Sequence, residues 1–503
     1  MQPLYIIRKY MPLPSCVGAC GLGIALLASL TILPGCKREE KFPDLGINFA
    51  YPSDVATSDD GQQFYAINSD FDRTYNKGSI LVMDLKGNRL VAVETPRLGR
   101  SLTVAGNDML VTYDRAETID DAQAQLYDLT DPKLPKLVKT FTLPSCTPLN
   151  AVMVKNYKYF AVSCINGPLM VGELKPNRVD TTLTLVREYE RTRRALILDT
   201  RRNLLYAFIT DMGKQDIFEG VYTDVKTVTD AGETAVPNEI PDEWEKTKAK
   251  RSRTDRNETY QFVVYDLAAE AAAGFPYRNV TSPEVRKELR WLYFCLSNFD
   301  GTPDPDGVCD GTVNGTQQKL YRANFWDAKP DPQDPNVFYL SHRGVGATLF
   351  SNDVVKVSIN GEPKVDASGA VPKTDTYFGF ERVYGFPGEI EKDSTKLDLH
   401  YPGDIEIPII SGRKMLVVNH FRDLVFWKKG EFRFGITSTV IGENFWFSDT
   451  INADPSGAAD PQNSHYQVAV TPSGKGMSCS FYGNSVMLLD IAPGTDIKIT
   501  KVN

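Results

Sequence analysis

Four histidines occur in the chain, at positions 342, 400, 420 and 465. His342 and His420 each follow a short apolar run of strand type, Val337-Phe338-Tyr339-Leu340 and Met415-Leu416-Val417-Val418-Asn419. Arg343 stands beside the first, and Arg422 and Asp423 stand close to the second. An imidazole with a guanidinium and a carboxylate nearby is the equipment of hydrolysis by a general base with a stabilised oxyanion. The same residues at strand ends serve equally as solvated or hydrogen-bonding loop groups. No nucleophile elbow, phosphate loop or paired-carboxylate motif accompanies them, and no Cys-x-x-Cys-His sequence for covalent haem attachment occurs. No catalytic residue is assigned on this basis. Hydrolysis through His342, His420, Arg343 and Arg422 is carried as the second choice behind binding.

Of the eight cysteines, Cys146, Cys164, Cys295, Cys309 and Cys479 fall in the body of the chain. Cys146 precedes one strand and Cys164 ends the next, with a turn near Asn156-Tyr157, so antiparallel pairing brings them together as a disulfide. Cys295 and Cys309 flank one loop and form the second proposed pair, while Cys479 sits in a strand as a buried thiol. Five reduced core cysteines are the alternative. No Cys-x-x-Cys occurs, which leaves zinc and redox motifs without support.

The loop Asp300-Gly301-Thr302-Pro303-Asp304-Pro305-Asp306-Gly307-Val308-Cys309-Asp310-Gly311 is dense in hard oxygen donors. It resembles the Asp-rich calcium loops of thrombospondin type 3 repeats, in which alternate carboxylates surround a glycine turn. The resemblance implies calcium on Asp304, Asp306 and Asp310. A plain Asp/Gly/Pro turn is the first choice, so no cofactor is expected and calcium is the alternative.

These residues are strung along a repeat. A strand, a few polar residues and a second strand recur, the second often ending in Asp-Leu or Asp-Ile. The paired runs begin at Phe64 and Ile80, Met109 and Ala124, Tyr159 and Leu169, Leu205 and Phe262, Val337 and Val354, Met415 and Leu424, and Met477 and Val486. A further apolar run precedes most copies, as at Asp54-Val55-Ala56 and Gln467-Val468-Ala469-Val470, and a loose outer strand follows, as at Leu137–Phe141. Four short antiparallel strands per roughly 40–45 residues is propeller geometry. The expected fold is all-β, a seven-bladed β-propeller of four-stranded antiparallel blades, with a short helical insertion. A β-sandwich or two smaller β domains is the competing architecture. Ring closure is left open between Gly46-Ile47-Asn48-Phe49 joining the last blade and that blade supplying all its strands, the last from Ile497 onward.

The copies resemble YVTN-type propeller repeats, most closely at Met415–Trp427 and Met477–Ile491. The segment Leu126-Tyr127-Asp128-Leu129-Thr130-Asp131-Pro132-Lys133-Leu134-Pro135-Lys136-Leu137-Val138 is similar to an LVIVD repeat with its Asp-Pro-x-x-Pro turn. These resemblances imply a bacterial propeller and are nearly silent on activity. A YVTN-type hydrolase such as a lactonase is what they add to the second choice.

Two stretches interrupt the repeat. Residues 211–261 include the basic run Lys246-Thr247-Lys248-Ala249-Lys250-Arg251-Ser252-Arg253, and residues 268–321 include Ser282–Leu292, where a Ser N-cap and Pro283 predict a helix. The basic run reads first as a solvated loop, with contact to an acidic partner or lipid headgroups as the alternative; if the chain has a partner surface, both stretches are the first candidates for it.

The N-terminus carries Arg8 and Lys9, then no charge until Lys37, with an apolar stretch over Val17–Leu33. This is the layout of a secretory signal. Leu33-Pro34-Gly35-Cys36 resembles the bacterial lipobox. The resemblance implies cleavage before Cys36, a thioether-linked diacylglycerol on it and N-acylation, typically by palmitate, with Lys37 favouring the outer over the inner membrane. An uncleaved anchor or a plain signal peptide are the alternatives. The expected organisation is a signal peptide over 1–35, a lipidated tether over 36–48 and the propeller over 49–503.

The net charge of -8 implies no basic face for nucleic acid. The expected function is a lipid-anchored envelope propeller that binds another envelope protein or a small ligand as a scaffold. A surface adhesion protein is the third choice.

Overall fold

A computed structural model describes residues 42–116, 121–189, 191–212, 258–279, 289–292, 309–313, 316–320, 324–343, 353–360, 378–385, 389–390, 397–423, 432–442, 447–452, 467–481 and 483–502. They form seven successive antiparallel sheets and one separate hairpin, Cys309–Val313 with Thr316–Leu320. The chain is a seven-bladed β-propeller of four-stranded blades with almost no helix. Blades 1 to 7 begin with the inner strands Pro52–Thr57, Gly99–Ala105, Pro148–Val152, Arg191–Asp199, Asn324–Pro330, Leu397–Glu406 and Val468–Val470. Each inner strand lies beside the next, and that of blade 7 lies beside that of blade 1.

Burial explains the blade sequences. In blade 1 the second strand Gln63–Asn68 and most of the third, Gly78–Asp84, are buried and read as nearly continuous apolar runs. The outer strand Arg89–Thr95 is partly exposed. Alternation along the second strand serves two neighbours. Tyr65 and Ile67 pack with Leu102, Met109 and Val111 of blade 2. Phe64 and Ala66 pack with Met477, Cys479 and Val486 of blade 7.

The ring closes without strand exchange. Blade 7 supplies its own four strands, ending in Lys498–Val502 against Ser485–Asp490. Phe49 joins the apolar layer between blades 1 and 7 instead of extending a sheet.

Three sequence expectations change. In the sixth copy the first strand runs on to Asp423 and pairs with Phe432–Val440, so Leu424–Trp427 is not its partner and lies outside the described residues. The turn comes later than a short repeat template places it. Within Ser282–Leu292, residues Leu289–Leu292 are the outer strand of blade 4, paired with Gln261–Val264, and residues 282–288 lie outside the described residues. Over these four residues the open edge of the third strand, which needs a partner, outweighs any continuation of a helix. The segment read as an insertion from 268 therefore partly belongs to the ring.

Among the described residues the helix is α1, Leu267–Ala272, capped by the Asp266 side chain accepting from the Ala269 N–H. Beyond it, Arg278–Asn279 adds a short parallel strand to the outer edge of blade 3. Arg187 of blade 3, buried, donates to Glu270 at 2.5 Å and to the Pro276 carbonyl, and lies over the Tyr265 ring. Residues 267–279 thus clasp blade 4 to blade 3.

The other long segment leaves and re-enters blade 4 through one ladder, since Leu204–Met212 and Glu258–Asp266 stay in register up to Met212 opposite Glu258. Cys36 and the lipobox lie outside the described residues. Among those described, no helix is long and apolar enough to cross a membrane.

Candidate functional site

The inner strands share a device at the end where each begins. Five of them, in blades 1 to 5, carry a register shift there, and blade 6 carries one between Pro402 and Ile405 in its longer strand. Such a bulge re-aims one side chain. At or just past it each blade carries one polar residue ahead of an apolar one. These are Asp54-Val55, Ser101-Leu102, Asn150-Ala151, Arg194-Ala195, Asp327-Ala328, Asp404-Ile405 and, in blade 7, Gln467-Val468.

Five of these residues stitch their blade to the next. Asp54 accepts from the Leu102 N–H at 2.8 Å and Ser101 from the Ala151 N–H at 3.3 Å. Asn150 donates to the Arg194 carbonyl at 2.7 Å. Asp327 accepts from the Ile405 N–H at 3.1 Å and Asp404 from the Val468 N–H at 2.9 Å. A bulged strand exposes main-chain groups that its own sheet does not use, and burial requires that they be satisfied.

The belt is charged on one side. Arg194 of blade 4 reaches Asp54 of blade 1 at 3.9 Å, and both are nearly fully buried. Blades 1 and 4 are not ring neighbours, so this side chain spans the channel. Two residues below the belt, Lys329 of blade 5 contacts Glu406 of blade 6 at 3.0 Å and Asp327 at 3.7 Å.

The carboxyls share this environment unequally. Burial raises Asp54 to about 6, with Arg194 opposing it. Burial and the neighbouring Asp327 carboxylate push Asp404 well above the usual carboxyl range. Burial acts on Asp327 too, but Lys329 and the hydrogen bond with Asp404 hold it below its ordinary value. Asp327 and Asp404 are therefore coupled across the seam of blades 5 and 6, with Asp404 shifted up and Asp327 down. Burial likewise raises Glu406. For Lys329 burial works the other way, yet Asp327, Glu406 and Asp404 lift it well above its normal value.

Beyond the belt the ring is uneven. In blades 1, 2, 3 and 7 the second strand stops one residue past the position facing the belt, at Asn68, Tyr113, Cys164 and Ser480. In blade 4 it continues from Phe208 to Met212, and in blade 6 from Asn419 to Asp423. Four further residues rise roughly 13 Å. Blade 5 lies between them and ends at Arg343. Blades 4 to 6 are a raised arc, and the other four are a low one.

The residues singled out by sequence fall mainly here. His342 pairs in register with Phe325 and Asp353, and His420 with Pro402 and Gly435. Ser341 faces Asp327 and Asn419 faces the bulge at Asp404, so both histidines occupy equivalent backbone positions one step beyond the belt. Arg343, Arg422 and Asp423 continue those strands.

Cys146 and Cys164 are joined, with Cα atoms 5.2 Å apart, and Cys479 is a buried free thiol. Cys309 and Asp310 lie in the separate hairpin, opposite Leu320 and Lys319, while Cys295, Asp304 and Asp306 lie outside the described residues. Among described residues, no group of three or more His, Cys, Asp or Glu side chains could hold a metal ion. Sequence reasoning missed the belt and its carboxyl pair. The signal was a polar residue before an apolar one in every inner strand.

No protein-family model matches the chain, and no curated protein matches it by sequence. Among solved structures it is similar to the β-propeller domain of Cps50 (Swd1) from Myceliophteria thermophila. That match has 8% identity and TM-score 0.46, over 89% of this chain and 99% of that one. It is also similar to a putative 6-phosphogluconolactonase from Bacteroides fragilis, at 9% identity and TM-score 0.43, over 89% of this chain and 92% of that one. Sqt1 from Chaetomium thermophilum, bound to the N-terminus of ribosomal protein L10, matches at 11% identity and TM-score 0.42, over 90% and 89%.

Proposed function

We propose that this protein is an exported, lipid-anchored propeller that binds a partner protein on its raised arc. The raised arc carries the reading. Blades 4 and 6 extend their ladders past the belt on one side of the ring only, and both long sequence segments leave from blade 4. Binding surfaces concentrate on loops held by a rigid scaffold. The belt argues against the channel as the main site, since Arg194 crosses it and the Asp side chains are bonded to the next blade.

Export is supported by the lipobox ending in Cys36 and by the Cys146–Cys164 disulfide, a bond that persists in oxidising compartments. The anchor would be the acylated Cys36, with the outer membrane as its place. Affinity capture of the acylated protein from detergent-solubilised envelopes tests the reading. A stoichiometric partner that is lost when residues 213–257 are replaced by a short turn supports it. Unchanged capture by that variant rejects the arc as the binding surface.

One observation favours a second reading. His342 and His420 sit at equivalent backbone positions of adjacent blades, one step beyond the buried Asp327 and Asp404. A hydrolase would use them with Arg343 and Arg422. Lactone hydrolysis by the wild type that is lost in His420→Ala supports this, and an inactive wild type removes it.

A further inference from the structure

The blade 1 rim, at the belt end of the ring, carries an aromatic cluster that the partner-binding reading does not use. Tyr51, Phe71 and Phe481 pack edge to face or tilted, with ring centroids 5.3 to 6.0 Å apart. Phe481 is buried beneath, whereas Phe71 is 53% exposed. Ile47, on the same N-terminal segment as Tyr51, is 48% exposed. A large apolar side chain held open to water needs a reason when the loop beneath it is costly to build.

This loop is costly. Tyr51, Asp70, Arg73 and Asn76 all have left-handed backbone angles without being glycine. Such residues persist only where their surroundings over-determine them. Here a buried ion pair does so. The Asp70 carboxylate accepts from the Tyr75 and Lys77 N–H groups, and Arg97 lies 3.4 Å from it. Arg97 also donates to the Asp70 and Phe71 carbonyls. Phe71 is thus presented on a rigid support.

The chain that would carry the lipid ends at the same rim. Arg73 stacks over Phe42 at 5.6 Å, Lys77 pairs with Asp44 at 3.2 Å, and Leu45 is buried. Arg89 stacks over Phe49 at 4.4 Å, and Asn68 binds the main chain at Asn48 and Ala50. From Phe42 back to Cys36 only residues 37–41 intervene. Fully extended, that span reaches at most roughly 20 Å. A lipid on Cys36 therefore places the bilayer surface within that distance of blade 1.

We propose that the Phe71 rim is a membrane-contacting surface, which inserts into the interface of the bilayer that anchors Cys36 and sets the ring's orientation. The inference rests on the lipid-anchor reading. Exposed aromatics at the headgroup level are favourable. Arg73 and Lys77 are offset by Asp44, Asp72 and Glu94 nearby, so apolar insertion dominates over charge. Blade 1 then faces the membrane, and the raised arc, on the far side of a seven-membered ring, points away from it.

The test uses the full acylated chain, with Cys295→Ser and Cys309→Ser, in phosphatidylethanolamine/phosphatidylglycerol vesicles containing brominated acyl chains. A fluorophore is attached at Phe71→Cys or, at the opposite end of the ring, at Val179→Cys, which is 59% exposed. Bromolipid quenching at 71 is expected to exceed that at 179 at least threefold and to persist in 0.5 M salt. Equal quenching at the two sites in protein whose Cys36 lipid is verified by mass spectrometry overturns the orientation alone. A mature protein without acyl chains on Cys36 overturns the anchor reading and this inference with it.

Discussion

The low arc, blades 7, 1, 2 and 3, and the raised arc, blades 4 to 6, solve the same packing problem with different regularity. In the low arc the second strands are six residues long and stop one step past the belt. Its belt residues are Asp54, Ser101, Asn150 and Gln467, only one of them ionisable. In the raised arc the second strands run to nine and eleven residues in blades 4 and 6, and the belt residues are Arg194, Asp327 and Asp404, all ionisable. A ring needs each inner strand to lie against the next in order to close, and nothing requires equal strand length beyond the belt. Irregularity placed there costs the ring little, which is why function is sought in the raised arc and stability in the low one.

The largest effect that would break this contrast lies at Arg97. Arg97→Met leaves Asp70 buried without its cation and removes three hydrogen bonds to the carbonyls of the strained loop. The loss expected from one partner of a buried pair is about 3–5 kcal/mol by chemical denaturation. A loss below about 1 kcal/mol would show that the low arc is not the rigid half. Next comes the disulfide. Replacing Cys146 and Cys164 by Ser together opens a short loop, of sequence separation 18, and should cost about 3 kcal/mol. Thermal unfolding with and without reductant checks it.

The belt gives a pH signature. Asp54 is raised by burial to about 6 in the folded chain, above its ordinary value of 3.8. The native state therefore binds more protons than the unfolded one between these values, and stability falls as pH rises from about 4 to above 6. The full difference is on the order of 3 kcal/mol. Asp54→Asn keeps an acceptor for the Leu102 N–H and should remove this part of the pH dependence. Identical pH profiles for wild type and variant would contradict the burial of this carboxylate. The smallest effect is expected in the raised arc. Replacing residues 213–257 by a two-residue turn should change stability by less than about 1 kcal/mol, because Met212 and Glu258 already face each other across the ladder.

The sequence displayed the low arc almost entirely. Runs such as Phe64–Asn68 with Ile80–Leu85 are buried on both faces and stay apolar, so their period and pairing are readable. Blade 6 was misread because its strand continues through Asn419-His420-Phe421-Arg422-Asp423, whose polar residues look like a turn. Leu289–Leu292 was misread because a local cap signal cannot report that a distant strand lacks a partner. The carboxyl pair was invisible for another reason. Asp327 and Asp404 stand in different blades, and only the bulges that align them bring their side chains together.

Photo-cross-linking tests the division most directly. A photoreactive residue is placed at Met212 or Asp423 on the raised arc, or at Ile165, an exposed site at the same end of the ring on the low arc. Cross-linking in intact envelopes is expected to yield one protein adduct from Met212 or Asp423 and none from Ile165. An adduct from Ile165 alone would contradict the assignment of binding to blades 4 to 6.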